Sequence, residues 1–162
     1  MMTHRLEHGF ILLIALFTAC KSTQKAGVAV QQPATVFAKG EKITNNNFTG
    51  IAYLQPLVAS DSLNQTSVGS VTFEPGARTN WHYHPGGQVL LVVDGVGYYQ
   101  EKGTPKRILR KGDAVKCPPG VLHWHGASAS EAFVQVAITN TQKGAVVWLQ
   151  PVTNEEYIGN SK

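Results

Sequence analysis

Gly76-Ala-Arg-Thr-Asn-Trp-His-Tyr-His-Pro-Gly-Gly-Gln-Val-Leu-Leu-Val-Val-Asp-Gly95 is the stretch whose reading decides the fold. His82 and His84 stand two residues apart, and on a strand that spacing puts both imidazoles on one face. Gln88 follows beyond a Pro-Gly-Gly corner, at the head of the apolar run Val89 to Val93. A second cluster, Pro118-Pro-Gly-Val-Leu-His-Trp-His125, brings His123 from a separate strand. Together they read as a mononuclear metal site inside a β-barrel, with His82, His84, Gln88 and His123 as ligands. Three imidazoles and one oxygen suit a divalent first-row ion: manganese, iron, zinc, nickel or copper.

Outward from that stretch the chain is punctuated by turns. Of its 162 residues, 43% are hydrophobic and only 15% charged, with 16 glycines and 8 prolines, which favours short strands over a helical bundle. Strands are expected over Ile51–Val58, Val68–Phe73, Arg78–His84, Gln88–Val93, Val96–Gln100, Lys106–Leu109, Ala114–Cys117, Leu122–Ala127, Ala132–Thr139 and Ala145–Leu149. Asp94-Gly95 is read as a hairpin turn between two of them. About ten such strands make an all-β single domain, a jelly roll or closed barrel. Thr153-Asn-Glu-Glu156 predicts a cap on one short C-terminal helix. The formal charge is +4. Lys106-Arg107 and Arg110-Lys111 flank Ile108-Leu109 and are read as solvated hairpin ends, with no aromatic-basic stripe to suggest nucleic acid.

The N-terminus is an address. Residues 10–19 form an apolar run too short for a permanent membrane span, ending in Phe-Thr-Ala-Cys20. This resembles a bacterial lipobox, so residues 1–19 are expected to be a lipoprotein signal peptide and Cys20 the lipidated residue. An ordinary secreted or a cytoplasmic protein are the alternatives. Multiple acyl chains would anchor the chain stably, and Lys21 after the cysteine points by analogy to the periplasmic side of the outer membrane. Residues 20–47 are polar and aperiodic, a flexible tether, and the folded domain is expected over 48–158. With Cys20 acylated, Cys117 is left without a disulfide partner and is read as a small buried hydrophobe.

Gln88 bears on the chemistry. A neutral carboxamide leaves the ion's charge unbalanced where a Glu would offset one unit, which favours Lewis-acid or proton-transfer work over oxygen activation. His125 shares a strand face with His123 and is read either as a catalytic proton carrier beside the metal or as a packed histidine. Trp81, Tyr83 and Trp124 alternate with the ligands and should face away from them. Arg78 is expected in an ion pair with Glu74 or at the surface. Gln135, Phe73, Val92 and Phe133 are candidates for the substrate pocket, with ordinary core the preferred reading for the three apolar residues.

Gly76-(five)-His82-Tyr-His84-(three)-Gln88-(six)-Gly95 resembles the first motif of the cupin superfamily, with Gln in place of the usual Glu. Gly112-(five)-Pro118-Pro-Gly120-(two)-His123 resembles the second, sixteen residues later. The narrower likeness is to small bacterial cupins that include manganese hydroxynitrile lyases and carboxymuconolactone-decarboxylase-associated cupins. That resemblance implies a double-stranded β-helix, a homodimer, and a small-molecule substrate. It implies Mn(II) first, then Fe(II), Zn(II) or Ni(II), on His82, His84, Gln88 and His123. His125 matches the lyases, but Gln135 stands where they carry a proton-handling histidine, so lyase or isomerase chemistry on another oxygen-bearing molecule is expected. An oxygen-dependent dioxygenase and a non-catalytic metal-dependent binding protein are the alternatives.

Overall fold

A computed structural model describes residues 35–159. The expected signal peptide, Cys20 and most of the tether lie outside the described residues. These form twelve strands: β1 (Glu41–Lys42), β2 (Phe48–Thr49), β3 (Ala52–Val58), β4 (Thr66–Phe73), β5 (Arg78–Thr79), β6 (His82–Tyr83), β7 (Gln88–Glu101), β8 (Arg107–Arg110), β9 (Ala114–Cys117), β10 (His123–Ala127), β11 (Phe133–Asn140) and β12 (Val147–Trp148), followed by α1 (Asn154–Ile158). All pairings are antiparallel, and the strands run β1-β3-β4-β11-β7-β10-β5-β2, with β8 and β9 added to β7 and β12 to β6. This is the jelly roll that the turn spacing predicts.

The largest departure is at Asp94-Gly95, which is not a hairpin. β7 runs unbroken through it for fourteen residues. Its first half pairs with β11 and β9, its second with β10 and β8. Gly95 takes φ +75°, and a Cβ there would lie 1.9 Å from the Ala132 carbonyl oxygen, so only glycine fits. Beside it the β7–β11 register shifts between Val134 and Gln135, a bulge that adds one residue and re-aims the side chains. Gln88, Leu90 and Val92 are buried before it, Gly97 and Tyr99 after it, so the inward parity changes from even to odd. A turn and a bulge both demand a left-handed residue, and Asp-Gly alone does not separate them.

β7 is also strongly bent. Straight, it would span about 45 Å. Yet its ends pair with Cys117 and His123, six residues apart and joined by a link that reaches at most about 22 Å. The bend curls the two sheets around one core of Phe73, Leu90, Val92, Tyr99, Leu109, Phe133 and smaller neighbours. Cys117 sits in it with its thiol pushed up to about 12 by burial, as a buried hydrophobe should be.

A second cluster, Trp81, Trp124, Val152 and Tyr157, lies where α1 packs. The predicted capping box is present: Thr153 Oγ1 accepts from the Glu156 N–H, and the Glu156 carboxylate accepts from the Thr153 N–H. Arg78 is here rather than paired with Glu74, which instead binds Lys39. Its guanidinium donates to the Val152 carbonyl at 3.0 Å and Asn154 Oδ1 at 2.9 Å, and stacks 4.5 Å from the Tyr157 ring. Lys106 is likewise not a solvated end: it is 3% exposed, donates to the Tyr157 carbonyl and lies over the Tyr98 ring. Arg107, Arg110 and Lys111 are exposed as expected. Pairing with the sheet begins at Glu41, before the expected boundary at Phe48, because β1 adds to the β3 edge opposite Leu54 and Tyr53.

Candidate metal centre

Strand register assembles the histidines. His82 on β6 pairs with His123 on β10, and on their far sides stand Trp148 and Glu101, so Trp148, His82, His123 and Glu101 form one cross-strand row. His84 follows at the Pro-Gly-Gly corner, its carbonyl accepting from the Gly87 and Gly120 N–H groups at 3.0 and 2.9 Å. Gln88 begins β7 beyond that corner. His125 sits two residues along β10, on the same face as His123.

The rings converge. His82 and His123 have centroids 4.4 Å apart, His82 and His84 5.2 Å, His84 and His123 5.7 Å, and His82 and His125 5.2 Å. One ring nitrogen from each of His82, His123 and His125 lies within 4.8 Å of the others, a group that could hold a metal ion. That tight triplet contains His125, where the sequence pattern expects His84.

Hydrogen bonds separate the two. His82 Nδ1 donates to the Asn80 carbonyl at 2.9 Å and His123 Nδ1 to the Val121 carbonyl at 2.8 Å. A carbonyl only accepts, so each ring keeps its proton on Nδ1 and its Nε2 lone pair is available to a metal. Both nitrogens of His84, Gln88 Oε1 and His123 Nε2 are buried with no hydrogen-bond partner. Gln88 is oriented by its amide nitrogen, which donates to Thr139 Oγ1 at 3.0 Å. Buried polar atoms without partners are rare; among the described residues six occur, four of them on three of the four residues expected to bind a metal and the others being Asn80 Oδ1 and Gln135 Oε1. The donor set fits a divalent first-row ion.

The imidazoles are neutral. Burial holds His82 and His125 well below the ordinary value of 6.5, His123 below it, and His84 down to about 4, with the His123 ring adding to the effect at the other three. Neutral rings with free lone pairs are what a cation needs.

A cavity of about 490 Å³ opens onto His82, His84, Gln88 and His125. Phe48, Leu54, Val71, Ala137 and Trp148 supply apolar wall, and Glu41, Lys42, Ile43, Thr44 and Asn45 also line it. Phe73, Val92 and Phe133 are not among the residues that line it and belong to the buried core, the reading preferred for them. Gln135 does not line it either; it lies behind His125, with its amide nitrogen 2.9 Å from His125 Nδ1. Trp81 and Trp124 face away as alternation requires. The sequence reading missed Trp148, whose ring is 4.7 Å from His82, and Ile43. An aromatic in a closing strand was a usable signal for the first; Ile43 stands alone in a polar stretch and gave none.

Comparison with known proteins agrees with this geometry. Residues 69–139 match the family model for the cupin domain (Cupin_2). An (R)-mandelonitrile lyase of Granulicella tundricola is 43% identical over 111 residues, covering 68% of this chain and 85% of that protein. A cupin-like protein of Thermotoga maritima has a crystal structure that superposes with a TM-score of 0.74 at 48% identity, covering 75% of this chain and 93% of that one. A cupin 2 conserved barrel domain protein of Rhodopseudomonas palustris shares the fold at 17% identity, with a TM-score of 0.58 over 72% of this chain and 78% of that one.

Proposed function

The chain belongs to the cupin superfamily, and from that premise we propose that it is a metal-dependent enzyme of lyase or isomerase type acting on a small oxygen-bearing molecule. The observation that carries this reading is the set of partnerless buried atoms on His84, Gln88 and His123 beside an apolar-walled cavity. His82, His84, Gln88 and His123 would hold the ion, Mn(II) first, then Fe(II), Zn(II) or Ni(II). When bound, it would supply a Lewis acid whose charge the neutral Gln88 does not offset. Phe48, Leu54, Val71 and Trp148 would seat the apolar part of the substrate and keep water from it. His125 lines the cavity beside them and would contact the substrate oxygen.

The relative from Granulicella tundricola makes hydroxynitriles the first compounds to try. Gln135 occupies the place where the resemblance puts a proton-handling histidine, so hydroxy and keto compounds without a nitrile are the better prospect. The test is purification with Mn(II) or Fe(II), metal analysis, and turnover of a panel of hydroxynitriles, hydroxy acids and ketones. One equivalent of metal with turnover supports the proposal; one equivalent with tight binding and no turnover makes it a binding protein. Oxygen consumption in the same assay would identify a dioxygenase.

Two further expectations belong to the reading. Export as an outer-membrane lipoprotein rests on the N-terminal sequence, and labelling with a fatty-acid analogue, lost in Cys20→Ala, tests it. A homodimer is supported by outward apolar residues on the β7–β11 sheet, where Val89 and Leu91 are 37% and 40% exposed and pair with Ile138 and Val136. Sedimentation of the wild type against Leu91→Lys tests that.

A further inference from the structure

His125 is the one ring of the convergent triplet whose Nδ1 meets a nitrogen. Its neighbour is the side-chain amide nitrogen of Gln135, 2.9 Å away. An NH2 group donates and does not accept, so His125 Nδ1 must offer its lone pair and the proton must be on Nε2. His82 and His123, bonded to carbonyls, carry theirs on Nδ1. The opposite amide orientation is disfavoured by its surroundings. Gln135 is fully buried and its Oε1 has no partner. Reversal would put the NH2 where that oxygen lies, leaving two N–H groups without an acceptor in place of one N–H and one carbonyl oxygen, and buried donors go unpaired more rarely than carbonyl oxygens do.

We infer that Gln135 is a positioning residue: its amide holds His125 as the Nε2–H tautomer, so that His125 offers a hydrogen-bond donor to the substrate instead of a lone pair to the metal. This deepens the metal-enzyme reading and rests on it for the word substrate. The consequence is a division of labour within one cluster. His82 and His123 would face the ion with lone pairs, while His125, in the same triplet, presents a proton into the cavity. A neutral imidazole donor beside the cavity stabilises negative charge building on an oxygen. The substrate class that fits is one whose reaction develops an alkoxide or enolate. Thr79 fixes the main chain at this point, its Oγ1 accepting from the backbone N–H of His125 at 3.1 Å.

Nitrogen NMR of 15N-labelled protein, metal-free and then with zinc, tests the inference. In the metal-free protein we expect His125 protonated at Nε2, with a through-hydrogen-bond coupling between its Nδ1 and the Gln135 amide. A proton on His125 Nδ1 overturns it. Added zinc should move the Nε2 signals of His82 and His123 and leave the His125 Nε2–H in place; loss of that proton makes His125 a ligand and also overturns it. Gln135→Leu should release the tautomer, with part of the proton population moving to His125 Nδ1; a proton still held wholly on Nε2 in that variant would mean that another group sets the tautomer and would overturn the inference. If zinc moves none of the rings, the metal reading fails, while the metal-free tautomer still decides the role of Gln135.

Discussion

Two regions of this barrel bury polar groups, and they treat them in opposite ways. Under α1, Arg78 and Lys106 find carbonyls, Trp81 Nε1 donates to Glu156 at 3.1 Å, and Trp124 Nε1 donates to Gln100 at 2.8 Å. At the cavity, His84, Gln88 and His123 keep atoms with no partner at all. Burying an unpaired polar group costs free energy that a purely structural region would avoid. The satisfied cluster is therefore architecture, and the unsatisfied one is a place kept open for something to bind.

Breaking that contrast should give effects of very different size. His123→Ala removes a proposed ligand and should lower metal affinity by at least about a hundredfold, the upper end of what outer-shell changes do; equilibrium dialysis against Mn(II) checks it, and retained affinity would refute the site. Adding Mn(II) to the metal-free protein at a hundred times Kd should stabilise the fold by about 2.7 kcal/mol, reversed by chelation and visible as a rise in Tm. Arg78→Met strands the Val152 and Asn154 oxygens and should cost about 1–3 kcal/mol in urea unfolding, with metal content unchanged. A loss of metal in that variant would show that the two regions are not separate.

A further effect is set by pH. An unfolded imidazole titrates near 6.5, whereas burial holds the folded rings lower, His84 at about 4. Between those values the unfolded chain binds more protons than the folded one, so the metal-free protein should lose stability as pH falls from 6.5 towards 4. His84→Gln should flatten part of that slope in thermal melts, while Arg78→Met should leave it unchanged.

Much of this was legible in the residues. Alternation along His82–Tyr83 and His123–Trp124–His125 put imidazoles on one face and indoles on the other, and Thr153 with Glu156 marked α1. What escaped depends on contacts distant in sequence. Gly95 alone takes the left-handed conformation, where an Asp-Gly hairpin turn would need it at both residues, and pairing with β10 and β11 makes the site a bulge. Lys106 reads as a surface cation until Tyr98 and Tyr157 bring their rings to its ammonium group. The triplet of His82, His123 and His125 could not be told from the set with His84 by spacing, because the difference lies in which atoms meet Asn80, Val121 and Gln135.

The unbroken β7 has one more consequence. Its bulge divides the chain so that His82, His84 and Gln88 fall on one fragment and His123 on the other. Two peptides severed between Asp94 and Gly95 would each carry part of the coordination set, and neither alone could assemble it. If the proposed site holds an ion, fragment complementation at that cut should depend on divalent cations, with the ion acting as a clasp between the halves.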